Sequence, residues 1–313
     1  MSKHWRSYAG AAALMLVVFA LSGVSCAKTP KVSLTGSGTT TGSVAATATP
    51  EKLRIAVSAM ISPKETFEYY EQILDYVSKK TGTPVELVQR ETYDEVNQMV
   101  KNRELDVAFV CTGAYVDGHD QFGMELLVAP VAYGRPEYFS YIIVPKSSPA
   151  TSLAGLKGRK FAFTDPMSNT GCLVPTYMLG LAGTTPDKFF SGTGYTYSHD
   201  KSIEAVAQGV YAGAAVDSLV YDYLAATDPE FTSKTRIVEK SPPYGIPPVV
   251  VPKELDAGLK RQLREVFLGM ADDPEGRAIL DHVKIDRFEL LNDSAYDSVR
   301  AMRAWQKAHE PSK

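Results

Sequence analysis

The sequence predicts an α/β fold divided into two lobes. Three observations carry this expectation. Residues 53–110 hold three β-then-α units in succession, a second α/β series runs from Lys160 to Glu239, and a helical stretch returns after Val250. Successive β-α units imply parallel sheets with right-handed crossovers. A chain that leaves one such sheet for another and then returns forms a ligand cleft where the strands end.

The elements follow in order. Leu53 to Ser58 alternates and is β-rich, so it reads as a strand. Phe67, Tyr70, Leu74 and Val77 lie at helical spacing, and Gly82 closes that helix. Val85 to Val88 is a second strand and Tyr93 to Asn102 a second helix. Asp106 to Val110 is a strand apolar enough to be covered on both faces. Two long β stretches follow, Met124 to Tyr133 and Tyr138 to Pro145, with a turn at Gly134-Arg-Pro136. The second series alternates strands at Lys160 to Phe163, Thr193 to Ser198 and Ala212 to Val216 with helices at Leu173 to Leu181, Lys201 to Gln208 and Leu219 to Ala226. Ile237 to Glu239 adds a strand, and proline-rich Ser241 to Pro248 is linker material. Leu255, Leu259, Leu263, Val266 and Met270 then share one helical face, and Tyr296, Val299 and Met302 another.

Of the 313 residues, 33 are basic and 36 acidic, a net charge of −3. No basic surface of this size neutralises many phosphates, so nucleic-acid binding is excluded. Lys3, His4 and Arg6 precede an apolar run from Ala11 to Leu21, too short for a membrane span and read as an export signal. Ser22-Gly-Val-Ser25 before Cys26 resembles a bacterial lipobox, although Gly23 stands where an aliphatic residue is usual; the plainer reading is cleavage near Ser25 without lipid. The organisation expected is a signal over 1–25, a lipidated Cys26 and tether over 26–51, one lobe from 52–137 plus 246–313, and a second from 138–245.

Candidate site residues gather at strand-to-helix junctions. Pro175 is tolerated only near a helix start, so Ser168, Asn169 and Thr170 crowd a helix N-terminus. Hydroxyls, free amides and the positive helix end make an anion cradle without Lys or Arg; ordinary capping explains the same residues. Thr112 and Gly113 occupy the matching place in the first lobe. His199 and Asp217 each end a strand and open a helix, where each serves equally as a cap or its neighbour. Tyr93 and Tyr138 stand near the cleft, although tyrosines there are commonly core.

The rival chemistries are weaker. Ser168, His199 and Asp217 are triad residue types, but no G-x-S-x-G elbow surrounds Ser168. No phosphate loop, dinucleotide motif or zinc spacing occurs, so neither cofactor nor metal is expected. Cys111 and Cys172 fall in loops on opposite sides of the cleft, as a redox latch or as two small buried thiols.

From about Leu53 to Leu290 the chain resembles the periplasmic phosphonate/phosphite/phosphate-type solute-binding proteins of ABC importers. The resemblance rests on Tyr93-Asp94, Asp106-Val-Ala-Phe109 followed by Thr112-Gly-Ala-Tyr115, Ser168-Asn-Thr-Gly171 with Pro175, Ser198-His-Asp200, and Val206-Ala-Gln-Gly209 before Asp217. It implies a type II periplasmic-binding-protein fold closing on a small phosphorus oxyanion, with Tyr93, Thr112, Tyr138, Ser168, Asn169, Thr170, His199 and Asp217 as contacts. It further implies a monomer without enzymatic activity, anchored to the membrane by lipid in the periplasm or at the cell surface, and delivering ligand to an ABC permease. Asn169 departs from the family's Ser or Thr. The Ala-Val-Asp-Ser-Leu run around Asp217 points to phosphite or phosphate over a bulky alkylphosphonate. The alternatives are a ligand-sensing lipoprotein of the same fold partnered with a receptor, and a secreted serine hydrolase.

Overall fold

The computed structural model describes residues 51–60 and 63–309, with side chains omitted over 63–69. The export signal, Cys26 and the tether up to residue 50 lie outside the described residues. The first series is β1 (Leu53–Val57), α1 (Pro63–Thr81), β2 (Val85–Val88), α2 (Tyr93–Lys101), β3 (Val107–Phe109) and α3 (Thr112–Phe122), followed by β4 (Glu125–Ala132) and a short β5 (Glu137–Tyr138). The second comprises β6 (Ser140–Pro145), β7 (Lys160–Phe163), α4 (Val174–Leu181), α5 (Pro186–Phe189), β8 (Gly192–Tyr195), α6 (His199–Ala207), β9 (Gly213–Asp217), α7 (Ser218–Thr227) and β10 (Thr235–Lys240). The chain returns through β11 (Tyr244–Gly245) to β12 (Val249–Val251), α8 (Ala257–Gly269), α9 (Pro274–His282), β13 (Ile285–Glu289) and α10 (Asp297–His309).

These elements build two sheets. One has the order β13-β4-β12-β3-β1-β2, the other β10-β6-β9-β7-β8. In each, three strands run parallel, β2-β1-β3 and β8-β7-β9. The flanking strands β12, β4 and β13, or β6 and β10, pair antiparallel. Alternation along each strand feeds two cores. Leu53, Ile55, Val57, Val107 and Phe109 face α1, α8 and α9, whereas Ala56, Ala108 and Val110 face α2, α3 and α10. In the second sheet Phe161, Phe163 and Ala215 pack with α4, and Ala162, Ala214 and Val216 with α6 and α7.

Besides the short elements α5 and β12, which the sequence reading lacks, the crossings and the tail depart from it. The linker around Ser241 to Pro248 contains β11, which pairs antiparallel with β5 (Tyr244 opposite Tyr138), so the two crossings between sheets form one ribbon. The Tyr138 to Pro145 stretch is broken at Phe139, giving one piece to the ribbon and one to the second sheet. The helical tail also contains β13 and the separate helix α9, which Asp273 caps by accepting from the Glu275 N–H at 2.9 Å.

The two sheets stand closed on each other. The His199 N–H donates to the Met60 carbonyl at 2.9 Å, and the Tyr93 N–H donates to Asp165 Oδ2 at 3.2 Å. Arg303 on α10 pairs with Asp117 at 2.9 Å and donates to the Met167 carbonyl at 3.3 Å. Trp305 meets Tyr177 edge-on and covers Gly180 so tightly that a Cβ there would collide with the edge of the indole ring. The apolar part of this contact places Leu173 and Val174 in one cluster with Ala114, Tyr115, Tyr296 and Met302.

Candidate functional site

The eight residues singled out in the sequence are all buried, none more than 2% exposed. Seven of them sit where a strand runs into a helix, and Tyr138 sits on the crossover ribbon between the sheets. The segment after β7 explains the placement best. Ser168 Oγ accepts from the Gly171 N–H at 3.0 Å and starts a wide π turn over Asn169–Leu173, which α4 continues. Pro175 is the second residue of α4, just beyond this turn. Gly171 is required because a Cβ there would strike Thr164 Oγ1. Thr170 is anchored through its carbonyl, which accepts from Ser140 Oγ at 2.6 Å.

His199 is oriented from behind. The Asp217 N–H donates to its Nδ1 at 3.0 Å, and the Thr164 hydroxyl lies 3.1 Å from the same nitrogen. Nδ1 is therefore an acceptor, and the ring proton resides on Nε2. Burial pushes the imidazole pKa down to about 3, so the ring is a neutral donor and not a cation. Nε2 has no hydrogen-bond partner among the described residues. The same holds for Tyr93 Oη, Asn169 Oδ1, Thr170 Oγ1, Ser58 Oγ and Ser198 Oγ. Native proteins rarely leave buried polar atoms unpaired, and each costs roughly 1–3 kcal/mol. Of the twelve such atoms among the described residues, these six sit on neutral side chains where strands of the two sheets run into helices, and that concentration marks a candidate ligand site.

One side-chain hydrogen bond joins the second-sheet loop to the crossover ribbon. Asn169 Nδ2 donates to Tyr138 Oη at 3.1 Å. Burial, and next the Cys111 thiol, push both the Tyr93 and Tyr138 phenols well above their ordinary range, so both remain protonated donors. The N-termini of α3 and α6 carry no side-chain cap, which leaves amides and positive helix ends beside these groups. Arg303 pairs with Asp117 and donates to the Met167 carbonyl, while its buried Nε has no partner among the described residues.

Two of the eight spend their hydroxyls on the protein. Thr112 Oγ1 donates to the Gly245 carbonyl at 2.8 Å, tying α3 to the crossover ribbon, and Ser168 serves as the cap already described. Ser58 and Ser198 are not among the contacts expected from the sequence, where Ser198 figures only in the Ser198-His-Asp200 motif. A signal existed for each: Ser58 ends β1 as Cys111 and Thr112 follow β3, and Ser198 precedes His199. The hydrolytic triad does not assemble. Ser168 bonds to Gly171, and Asp217 meets His199 through its backbone N–H while its carboxylate caps α7 by accepting from the Leu219 N–H at 2.7 Å. The redox latch is also absent, since both thiols are free and lie in different cores.

Burial raises the Asp217 pKa from 3.8 to about 7. A carboxyl that ionises later in the folded than in the unfolded state lowers stability as pH rises through that interval. We predict that Asp217→Asn, which keeps the cap acceptor, gains thermal stability relative to the wild type as pH rises from 4 to 7.5, then levels off. Melting curves of both proteins across this range check it, and a constant difference would refute it.

Residues 55–296 match the family described as ABC transporter, phosphonate, periplasmic substrate-binding protein. Over 239 residues the chain is 25% identical to a phosphonates-binding periplasmic protein of Escherichia coli, an alignment covering 75% of this chain and 70% of that one. It is 30% identical over 184 residues to a phosphate-import protein of Mycolicibacterium smegmatis, covering 55% of this chain and 57% of that protein's length. The crystal structure of a binding protein component of an ABC phosphonate transporter from Pseudomonas aeruginosa superposes with a TM-score of 0.77, at 24% identity, covering 82% of this chain and 86% of that chain.

Proposed function

The chain belongs to the family of periplasmic phosphonate-binding proteins of ABC transporters, and from that premise we propose that its cleft captures a small phosphorus oxyanion. It has the type II periplasmic-binding-protein fold and is a transport component, not an enzyme. The observation that carries the ligand assignment is the set of six buried, unpartnered, neutral polar atoms at the strand-to-helix junctions of both sheets. Oriented neutral donors in a water-excluded site hold an oxyanion through charge-assisted hydrogen bonds. Tyr93, Thr170, His199, Ser58 and Ser198 supply hydroxyl or ring donors. Asn169 joins them by turning its amide, so that Oδ1 accepts from Tyr138 and Nδ2 faces the ligand.

Asp217 sets the protonation state. A carboxyl with a pKa of about 7 either donates to a ligand oxygen or accepts from a protonated one. Ionised Asp217 accepts a proton that phosphite, phosphate or a phosphonate can bring and repels sulfate, which carries none at neutral pH, so discrimination against sulfate should grow as pH rises above 7. Capture proceeds by closure of 138–245 onto 52–137 plus 246–313 about the β5–β11 ribbon, and contacts from both sides stabilise the closed form. Delivery goes to an ABC permease from a monomer anchored through a lipid on Cys26; mass spectrometry of the mature N-terminus from membranes tests the anchor, and an unmodified cysteine would sink it.

Calorimetry with phosphite, phosphate, methylphosphonate and sulfate tests the ligand class. Binding of at least one phosphorus oxyanion, with sulfate at least 100-fold weaker, is expected. Silence from all three phosphorus compounds would end the proposal.

A further inference from the structure

Helix α10 starts on the crossover ribbon and ends against the second-sheet side. In the turn before it, Tyr296 Oη donates to the Ile246 carbonyl at 3.0 Å. The first half of α10 is held by α3. Arg300 pairs with Asp120 at 3.0 Å and Arg303 with Asp117 at 2.9 Å, both aspartates standing on α3. Val299 and Met302 share a core with Ala114 and Tyr115 of the same helix. The second half reaches across. Arg303 donates to the Met167 carbonyl at 3.3 Å, two residues before Asn169. The Trp305 ring meets Tyr177 of α4 edge-on at 5.1 Å and lies over Gly180. Gly180 stands in the last turn of α4 without the positive φ that favours glycine. What requires a glycine there is the indole, because a Cβ would strike its outer edge. None of the six unpartnered atoms of the candidate site lies on α10.

We infer that α10 is a clasp, and that Trp305 is a positioning residue that sets ligand affinity by holding the two sides closed without touching the ligand. The inference rests on the capture reading above. Two ion pairs and the shared core tie α10 to the first-sheet side, so opening the cleft pulls Trp305 off α4. The indole contact then exists in the closed form alone, and an interaction made in one of two states shifts the balance between them. Affinity scales with the closed fraction of the free protein. Loss of the clasp therefore weakens every ligand by one common factor, whereas loss of a ligand contact discriminates among ligands.

The test compares the wild-type chain with Gly180→Ala, Trp305→Ala and the double variant. It uses small-angle X-ray scattering without ligand and calorimetry with phosphite, phosphate and methylphosphonate. Each ligand-free variant should have a larger radius of gyration than the wild type, and saturating ligand should restore the wild-type value. Affinity should fall about tenfold, by the same factor within about threefold for every ligand that binds. The double variant should lose no more than Trp305→Ala alone, because the added methyl collides only with the indole. Alanine favours helix over glycine, so Gly180→Ala keeps α4 and decides alone if Trp305→Ala does not fold. Unchanged scattering and affinity in Gly180→Ala overturn the inference, as does a loss that differs more than tenfold between ligands. Failure of the wild type to bind any of the three compounds overturns the capture reading instead, and the clasp then stands or falls on the ligand-free scattering.

Discussion

Gly113→Ala is expected to lower the affinity for any phosphorus oxyanion by about 100-fold or more. Gly113 lies in the first turn of α3, and its missing side chain is what lets α3 press against the loop before the π turn. A Cβ there would fall on the Met167 carbonyl oxygen and stand 3.0 Å from the Asn169 nitrogen. Both are backbone atoms, so no rotamer change relieves the clash. The loop carrying Asn169 and Thr170 must retreat from Tyr93 and the first sheet. A displacement near 1 Å of a binding group costs roughly 100-fold. The clash exists only with the cleft closed, and alanine is the better helix former by about 1 kcal/mol. The ligand-free variant should therefore melt no lower than the wild type. Calorimetry together with a ligand-free melting curve separates the two effects. Unchanged affinity would show that α3 and the 167–169 loop need not meet for capture.

His199→Asn should weaken binding by about tenfold to 100-fold. The asparagine oxygen can take the place of Nδ1 and still accept the Asp217 N–H, but nothing replaces the Nε2–H. A hydrogen bond to a charged group contributes about 1.5–3 kcal/mol, which sets the range. The wild-type ring is neutral, with a pKa near 3, so its contribution should show no step between pH 5.5 and 6.5. Its linkage to stability runs opposite to that of Asp217. The unfolded histidine binds a proton that the folded one refuses, so stability from this group is lost as pH falls from about 6.5 toward 3. A cationic His199 would instead make affinity decline through pH 6.5, and that decline would refute the neutral-donor account.

The junction residues were legible in the sequence because local rules act on them. Pro175 dates the helix start, and Ser168, Asn169 and Thr170 precede it for reasons that hold within one turn. The local rules could not say which hydroxyl caps and which remains free. Ser168 and Thr170 differ only in their place on a π turn, and that turn is set by Gly171 packing on Thr164, a tertiary contact. The tautomer of His199 likewise depends on Asp217 and Thr164, 18 and 35 residues away. β13 escaped notice because Ile285-Asp-Arg-Phe-Glu289 is an edge strand with only Phe288 fully buried, so no clean alternation marks it. Three-residue β12 hid behind the prolines before it.

The central claim is that neutral donors and one shared proton hold the anion. Titrating the chain with methylphosphonate at pH 8.5, in two buffers of different ionisation enthalpy, counts protons directly. Asp217 is largely ionised there, with a pKa near 7, and the ligand is largely a dianion. The account predicts binding with uptake approaching one proton per site, diminished in Asp217→Asn. Binding with no proton uptake in the wild type would contradict it.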